Sequence, residues 1–134
     1  MTYLDANIFL YAILYDDNKA KTCKKLLTSV VDGEKDGVTS FLTWDEVTFI
    51  VLKTLGRKTS IREGKKLLEL SNLRFIRADE RVMVKAQKLT ERYKLKPRDA
   101  IHAASAIVSG CTEIISDDSD FDSVEELKRI SVGS

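Results

Sequence analysis

Apolar residues along this chain fall into two kinds of pattern: short unbroken runs, and stripes that recur every three or four positions. Tyr3-Leu4 before Asp5 reads as a short strand, and the run over residues 8–15 suits a buried helix. Over residues 19–31 the apolar positions Cys23, Leu26, Leu27, Val30 and Val31 trace one face of an amphipathic helix. Residues 32–37 form a turn, 38–42 a second strand, and 43–55 a helix stopped by Gly56. Ser60-Ile61-Arg62-Glu63 has the form of a capping box that opens a helix over 60–71. Residues 73–78 alternate as a strand, and 79–93 carry Val82, Ala86, Leu89 and Tyr93 on one helical stripe. Pro97 opens a helix that runs to about Ser109 and is ended by Gly110, and 112–116 reads as a buried strand. A short acidic loop, a small helix near 124–127 and a last strand over 129–132 follow. Strands separated by helices rather than by hairpins imply a parallel sheet covered on both faces, an α/β class with three α/β/α layers.

Composition narrows the functions open to such a fold. At 134 residues the chain is expected to form a single domain over 1–134. Lys plus Arg number 22 against 21 Asp plus Glu, so any nucleic-acid binding must come from a local patch rather than from overall charge. No apolar run approaches the ~20 residues of a membrane span, and Met1-Thr2-Tyr3-Leu4-Asp5 lacks the basic opening of a signal peptide. Cys23 and Cys111 form no CxxC pair, so a reduced cytoplasm is the expected setting. The single histidine, His102, excludes a multi-histidine zinc site.

In an open α/β sheet, ligands collect beyond the carboxyl ends of the strands. Asp5 ends the first strand, and Asp117-Asp118-Ser119-Asp120 follows the strand over 112–116. Glu46 and Asp99 fall in the first turns of the helices after the second strand and after Pro97. Converging carboxylates repel one another unless a cation compensates, and hard oxygen ligands in a partly open cluster suit Mg²⁺ or Mn²⁺. Phosphodiester hydrolysis is chemistry that needs such a site.

Four segments occur in order: Leu4-Asp5-Ala6-Asn7, Trp44-Asp45-Glu46-Val47, Pro97-Arg98-Asp99-Ala100-Ile101-His102-Ala103-Ala104 and Ile115-Ser116-Asp117-Asp118-Ser119-Asp120-Phe121. Together they resemble a PIN domain, close to the VapC-type toxins of toxin–antitoxin pairs, over essentially the whole chain. The resemblance implies a four- to five-stranded parallel sheet with an acidic pocket that binds Mg²⁺ or Mn²⁺ and cuts single-stranded RNA, leaving a 5′-phosphate. Matched motif by motif, it makes Asp5, Glu46, Asp99, Asp118 and Asp120 the catalytic acids, with Asp5, Asp99 and Asp118 on the metal. Asn7 and Ser116 would hydrogen-bond the carboxylates, and Asp117 competes with Asp118 for its place. A homodimer and a cognate antitoxin protein are also implied. Within the same resemblance, an RNA-processing nuclease without antitoxin and a silent binding module are the alternatives.

Plainer roles compete for several of these residues. Asp5 and Asn7 suit a turn and a helix cap. Thr43-Trp44-Asp45-Glu46 is a capping box in which the glutamate would bond back to the cap. Asp99 suits a helix dipole, and His102 among alanines reads as a packing residue. The alanines themselves suit close helix–sheet approach. Asp118 to Asp122 lacks the glycine and glutamate of a calcium loop. The basic runs Lys19, Lys21, Lys24, Lys25 and Arg57, Lys58, Arg62, Lys65, Lys66 read as solvated helix faces; if RNA docks, one of these runs or Arg98 is expected to hold backbone phosphate beside the pocket. Phe41, Trp44 and Phe49 read as core.

Overall fold

A computed structural model describes residues 1–133. Five strands, β1 (Thr2–Leu4), β2 (Gly37–Ser40), β3 (Arg74–Ile76), β4 (Glu113–Ile115) and β5 (Lys128–Ile130), form one sheet in the order β3-β2-β1-β4-β5. Every pairing is parallel. The chain winds outward from β1 through β2 to β3, then returns to the other side of β1 with β4 and β5. The topological switch therefore falls between β1 and β4, where Leu4 pairs with Ile115, and a crevice opens beyond the carboxyl ends of those two strands.

Alternation along each strand divides the core. Tyr3, Val38 and Ile114 point to the face covered by α5 (Glu80–Arg92) and α6 (Pro97–Val108), where Val82, Ala86 and Leu89 meet Ala100, Ala103 and Ala104. Leu4 and Ile115 point to the opposite face, covered by α1 (Ala6–Leu14), α2 (Asn18–Val31), α3 (Phe41–Leu55) and α4 (Arg57–Leu68). Both faces are covered, as the three-layer expectation requires, and the central strands β1 and β4 are apolar on both faces through Tyr3-Leu4 and Ile114-Ile115. The buried alanines of α6 bring its backbone close to the sheet, which sets the depth at which Asp99 is presented. Among the described residues no helix is long and apolar enough to cross a membrane.

Five expectations from the sequence fail, each for a local reason. β2 ends at Ser40 rather than Leu42, and Ser40 caps α3 by accepting from the Leu42 N–H. Thr43 is thereby drawn inside the helix and buried, where its hydroxyl meets that of Thr39 at 2.6 Å, and the capping box around Glu46 does not form. The Ser60 box fails in the same way. Helix α4 already starts at Arg57, and the Ser60 hydroxyl donates to the Thr48 carbonyl of α3 instead. Gly56 ends α3 and begins α4 with φ 91° and ψ 173°, a backbone region that only glycine occupies without strain, so no side-chain cap is needed there. The small helix expected over 124–127 lies earlier, as a 3₁₀ turn over Ser119–Ser123, because Asp118 caps it by accepting from the Asp120 N–H. Finally, Phe41, Trp44 and Phe49 are not core: they are 48%, 41% and 49% exposed, since the buried face of α3 is carried by Thr43, Val47 and Val51.

Gly37 shows how closely the layers approach. A Cβ there would meet the two methyls of buried Val30 at 2.8 and 3.1 Å, and rotating that β-branched side chain cannot clear both. Gly37→Ala is expected to destabilise the fold by about 1–3 kcal/mol through overpacking, read as a lower urea midpoint at unchanged slope.

Candidate metal centre

The crevice beyond β1 and β4 collects acids from four elements. Asp5 follows β1 directly and caps α1. Its Oδ1 accepts from the Ala6 N–H at 2.7 Å, and its Oδ2 accepts from the Ser116 hydroxyl at 2.6 Å and the Asn7 amide at 3.3 Å. Three donors fix a carboxylate that is only 6% exposed. Burial nevertheless pushes its pKa above the usual carboxylate range, against the lowering influence of His102 and Ser116. Asn7 also donates to Ser116 at 3.3 Å, so it orients the pair rather than capping the helix itself. Its Oδ1 is a buried polar atom with no partner among the described residues.

After β4 the adjacent acids diverge. Asp117 turns toward α1 and α2, where Oδ2 accepts from Tyr11 at 2.8 Å and from Lys19 at 2.7 Å. Those two bonds, Lys19 first, hold its carboxyl below the usual range. Asp118 instead turns into the crevice, its N–H donating to the Ser116 hydroxyl. One serine thus braces Asp5 and the start of the Asp118 loop together. Lys19, read from sequence as a solvated face, is the residue that removes Asp117 from the cluster.

Asp99 sits in the first turn of α6, where the helix dipole favours a negative charge. Its carboxyl is raised to about 6, by burial first and then by the charges of Asp118 and Asp5. Oxygens of Asp99, Asp118 and Asp120 lie within 4.8 Å of one another, and so do ligand atoms of Asp5, Glu46 and His102. The five acids and His102 thus stand as two triplets, coupled because Asp99 feels Asp5 across the crevice and Ser116 bonds both strand exits.

Glu46 comes from the second turn of α3 and takes no part in capping. Its Oε1 lies 2.9 Å from Nε2 of His102, whose Nδ1 lies 2.7 Å from the Tyr3 hydroxyl. Burial alone would lower the pKa of this imidazole; the bond to Glu46 and the charges of Asp5, Glu46 and Asp99 outweigh it and raise the value. Sequence reasoning placed His102 in the packing and gave Tyr3 only a strand role. One signal was available: Tyr3 shares strand parity with Asp5, and His102 falls one helical turn after Asp99.

A cleft of about 610 Å³ opens beside the acids, lined by Glu46, Asp99 and Asp118 together with Lys96, Pro97, Arg98, Leu10, Phe49 and Ile50. Arg98 stands 3.6 Å from Asp45, both half-exposed, so it is free to turn toward an anionic ligand. The acids offer only carboxylate oxygen, which suits a hard divalent cation; burial raises the pKa of Asp5 and Asp99, and neighbouring charge adds to it, from Glu46 at Asp5 and from Asp118 and Asp5 at Asp99.

A family model described as the PIN domain matches residues 2–127. Comparison with curated protein sequences returns no match. Among solved structures, a toxin–antitoxin complex from Klebsiella pneumoniae is similar at TM-score 0.74 and 22% identity, covering 99% of this chain and 98% of that one. VapBC2 from Rickettsia felis, bound to a DNA fragment from its promoter, is similar at TM-score 0.76 and 18% identity, with 98% of each chain covered. VapC20 from Mycobacterium tuberculosis, described as a toxin cleaving the sarcin-ricin loop, is similar at TM-score 0.78 and 16% identity, covering 93% and 95%. At these identities the likeness speaks for the fold. The parallel five-stranded sheet, the acids gathered at its switch point and the match over residues 2–127 agree, and the chain belongs to the PIN domain family.

Proposed function

We propose that this chain is a metal-dependent endoribonuclease that hydrolyses single-stranded RNA, and the toxin half of a toxin–antitoxin pair working in the cytoplasm. The observation that carries this reading is the gathering of acids from four parts of the chain at the switch point, Asp5 with Glu46 and Asp99 with Asp118 and Asp120, beside a cleft that Lys96 and Arg98 also line. A bound Mg²⁺ or Mn²⁺ supplies Lewis-acid activation of water and screens the charge that develops on the phosphate. Asp5, Asp99 and Asp118 would hold the principal ion, and Glu46 and Asp120 complete the pocket, aligning water for attack. Asn7 and Ser116 keep Asp5 oriented, because a carboxylate fixed by three donors loses little freedom when it meets a cation. Arg98 holds a neighbouring phosphate, which places the chain of the substrate along the cleft.

The toxin assignment draws on the solved complexes of like fold, in which such chains are paired with antitoxins. Phe41, Trp44, Phe49, Leu52, Ile61 and Leu68 leave an apolar surface on α3 and α4, suited to burial against an antitoxin or a second copy of the chain.

With Mn²⁺ and a mixed single-stranded RNA, the protein is expected to cut, and Asp5→Asn or Asp99→Asn to lower the rate by at least about 100-fold, more than loss of a supporting group costs. Chelation should have the same effect. Intact RNA at high protein excess contradicts the enzyme and favours a binding module.

A second expectation concerns pH. The Asp99 carboxyl titrates at about 6 in the fold, above its ordinary value. Its contribution to metal-free stability is therefore full below an ordinary carboxylate pKa and is lost as pH rises through 6. Asp99→Asn, which mimics the protonated form, should match the parent Tm near pH 4 and exceed it by about 2–6 °C at pH 7.5. Added Mn²⁺ should raise the parent Tm increasingly above pH 6 and leave the variant nearly unmoved. Equal metal-free melting at both pH values contradicts the crowding of charge around Asp99.

A further inference from the structure

We propose that His102 is a positioning residue: from a buried place between three elements it holds the Glu46 carboxylate at the crevice, and the Tyr3 hydroxyl holds His102. This rests on the reading of Glu46 as part of the metal pocket, but its geometry stands on its own. His102 is 1% exposed and Tyr3 is fully buried, so both ring nitrogens must find partners inside the protein. Nε2 faces Glu46 Oε1 at 2.9 Å, with Asp5 Oδ1 at 3.8 Å, and Nδ1 faces the Tyr3 hydroxyl at 2.7 Å.

The partners decide where the proton sits. An ionised carboxylate only accepts, so Nε2 must carry hydrogen, whatever the state of the other nitrogen. A phenol both donates and accepts, so Tyr3 can serve Nδ1 whether that nitrogen is bare or protonated. The two rings pack edge-on, with centroids 5.7 Å apart at 65°. Tyr3 stands on β1, Glu46 on α3 and His102 on α6, so the chain of bonds ties the central strand to one helix on each face of the sheet.

Glu46 needs such a tie. It is a long side chain arising from the second turn of α3, and among the described residues its carboxylate has no other hydrogen-bond partner. Asp5, by contrast, has three donors of its own. Loss of His102 frees Glu46 to rotate toward solvent while leaving Asp5 in place. That separates positioning from the general integrity of the pocket.

Because His102 is the only histidine in the chain, its ring signals need no assignment. Long-range ¹H–¹⁵N NMR of the metal-free protein is expected to show Nε2 protonated and hydrogen-bonded, with Nδ1 perturbed by Tyr3→Phe. A neutral ring with Nε2 bare and Nδ1 protonated overturns the proposal without touching the nuclease reading. In Mn²⁺ titrations followed by electron paramagnetic resonance, His102→Ala and Glu46→Gln should each weaken binding about 10- to 100-fold, with no further loss in the double variant. His102→Gln, whose amide can donate from about the place of Nε2, should recover most of the loss. Parent-like affinity in folded His102→Ala, additive losses, or failure of His102→Gln to recover binding contradicts the positioning role. If the parent protein binds Mn²⁺ in this pattern yet cuts no RNA, the proposed function fails and the role of His102 stands.

Discussion

Mutual repulsion among carboxylates is the constraint around which this molecule is arranged. Asp5 and Asp99 are both raised in pKa by burial, and Asp99 further by Asp118 and Asp5. Left to relax, such groups would swing to solvent. They do not, because each is tied to backbone that the sheet and its helices hold: Asp5 by a helix N-terminus and two side-chain donors, Asp118 by the serine that also bonds Asp5, Asp99 by the first turn of an alanine-packed helix. The energy of the fold keeps a charge arrangement that is unfavourable by itself and that a divalent cation would relieve.

Topology makes this possible at small size. Reversal of strand order between β1 and β4 opens the sheet at one point only, and short strands deliver Asp5 and Ser116 to that point side by side. Helices α3 and α6 bring Glu46 and Asp99 from opposite faces. Neither strand exit contributes a side chain that is idle, since even Asp117, which leaves the cluster, pins α1 and α2 through Tyr11 and Lys19.

Hydrophobic periods are enough to read the long helices, whose buried faces recur every three or four residues, and the central strands β1 and β4, which are apolar on both faces. Legibility failed where local signals competed with tertiary ones. Thr43 and Ser60 each head a convincing capping box, yet both hydroxyls are better satisfied by buried partners, Thr39 and the Thr48 carbonyl, once α3 and α4 pack. Phe41, Trp44 and Phe49 are apolar and so suggest core, but helical phase assigns the interior of α3 to Thr43, Val47 and Val51. At the site, the acids were visible as motifs at strand exits and helix starts. The bond from Tyr3 through His102 to Glu46 was not, because it joins residues 99 and 56 positions apart that no local pattern relates. The divergence of Asp117 from Asp118 is likewise invisible locally, since Asp117 is drawn away by Tyr11 and Lys19, each about a hundred positions distant in sequence.

If these separated carboxylates share one cation, anomalous diffraction from crystals soaked in Mn²⁺ will show a peak in the crevice with oxygens of Asp5, Asp99 and Asp118 at about 2.1–2.3 Å, as for a hard divalent ion. An empty crevice at saturating Mn²⁺, or a peak held only by the exposed Asp120 and Asp122, would contradict it.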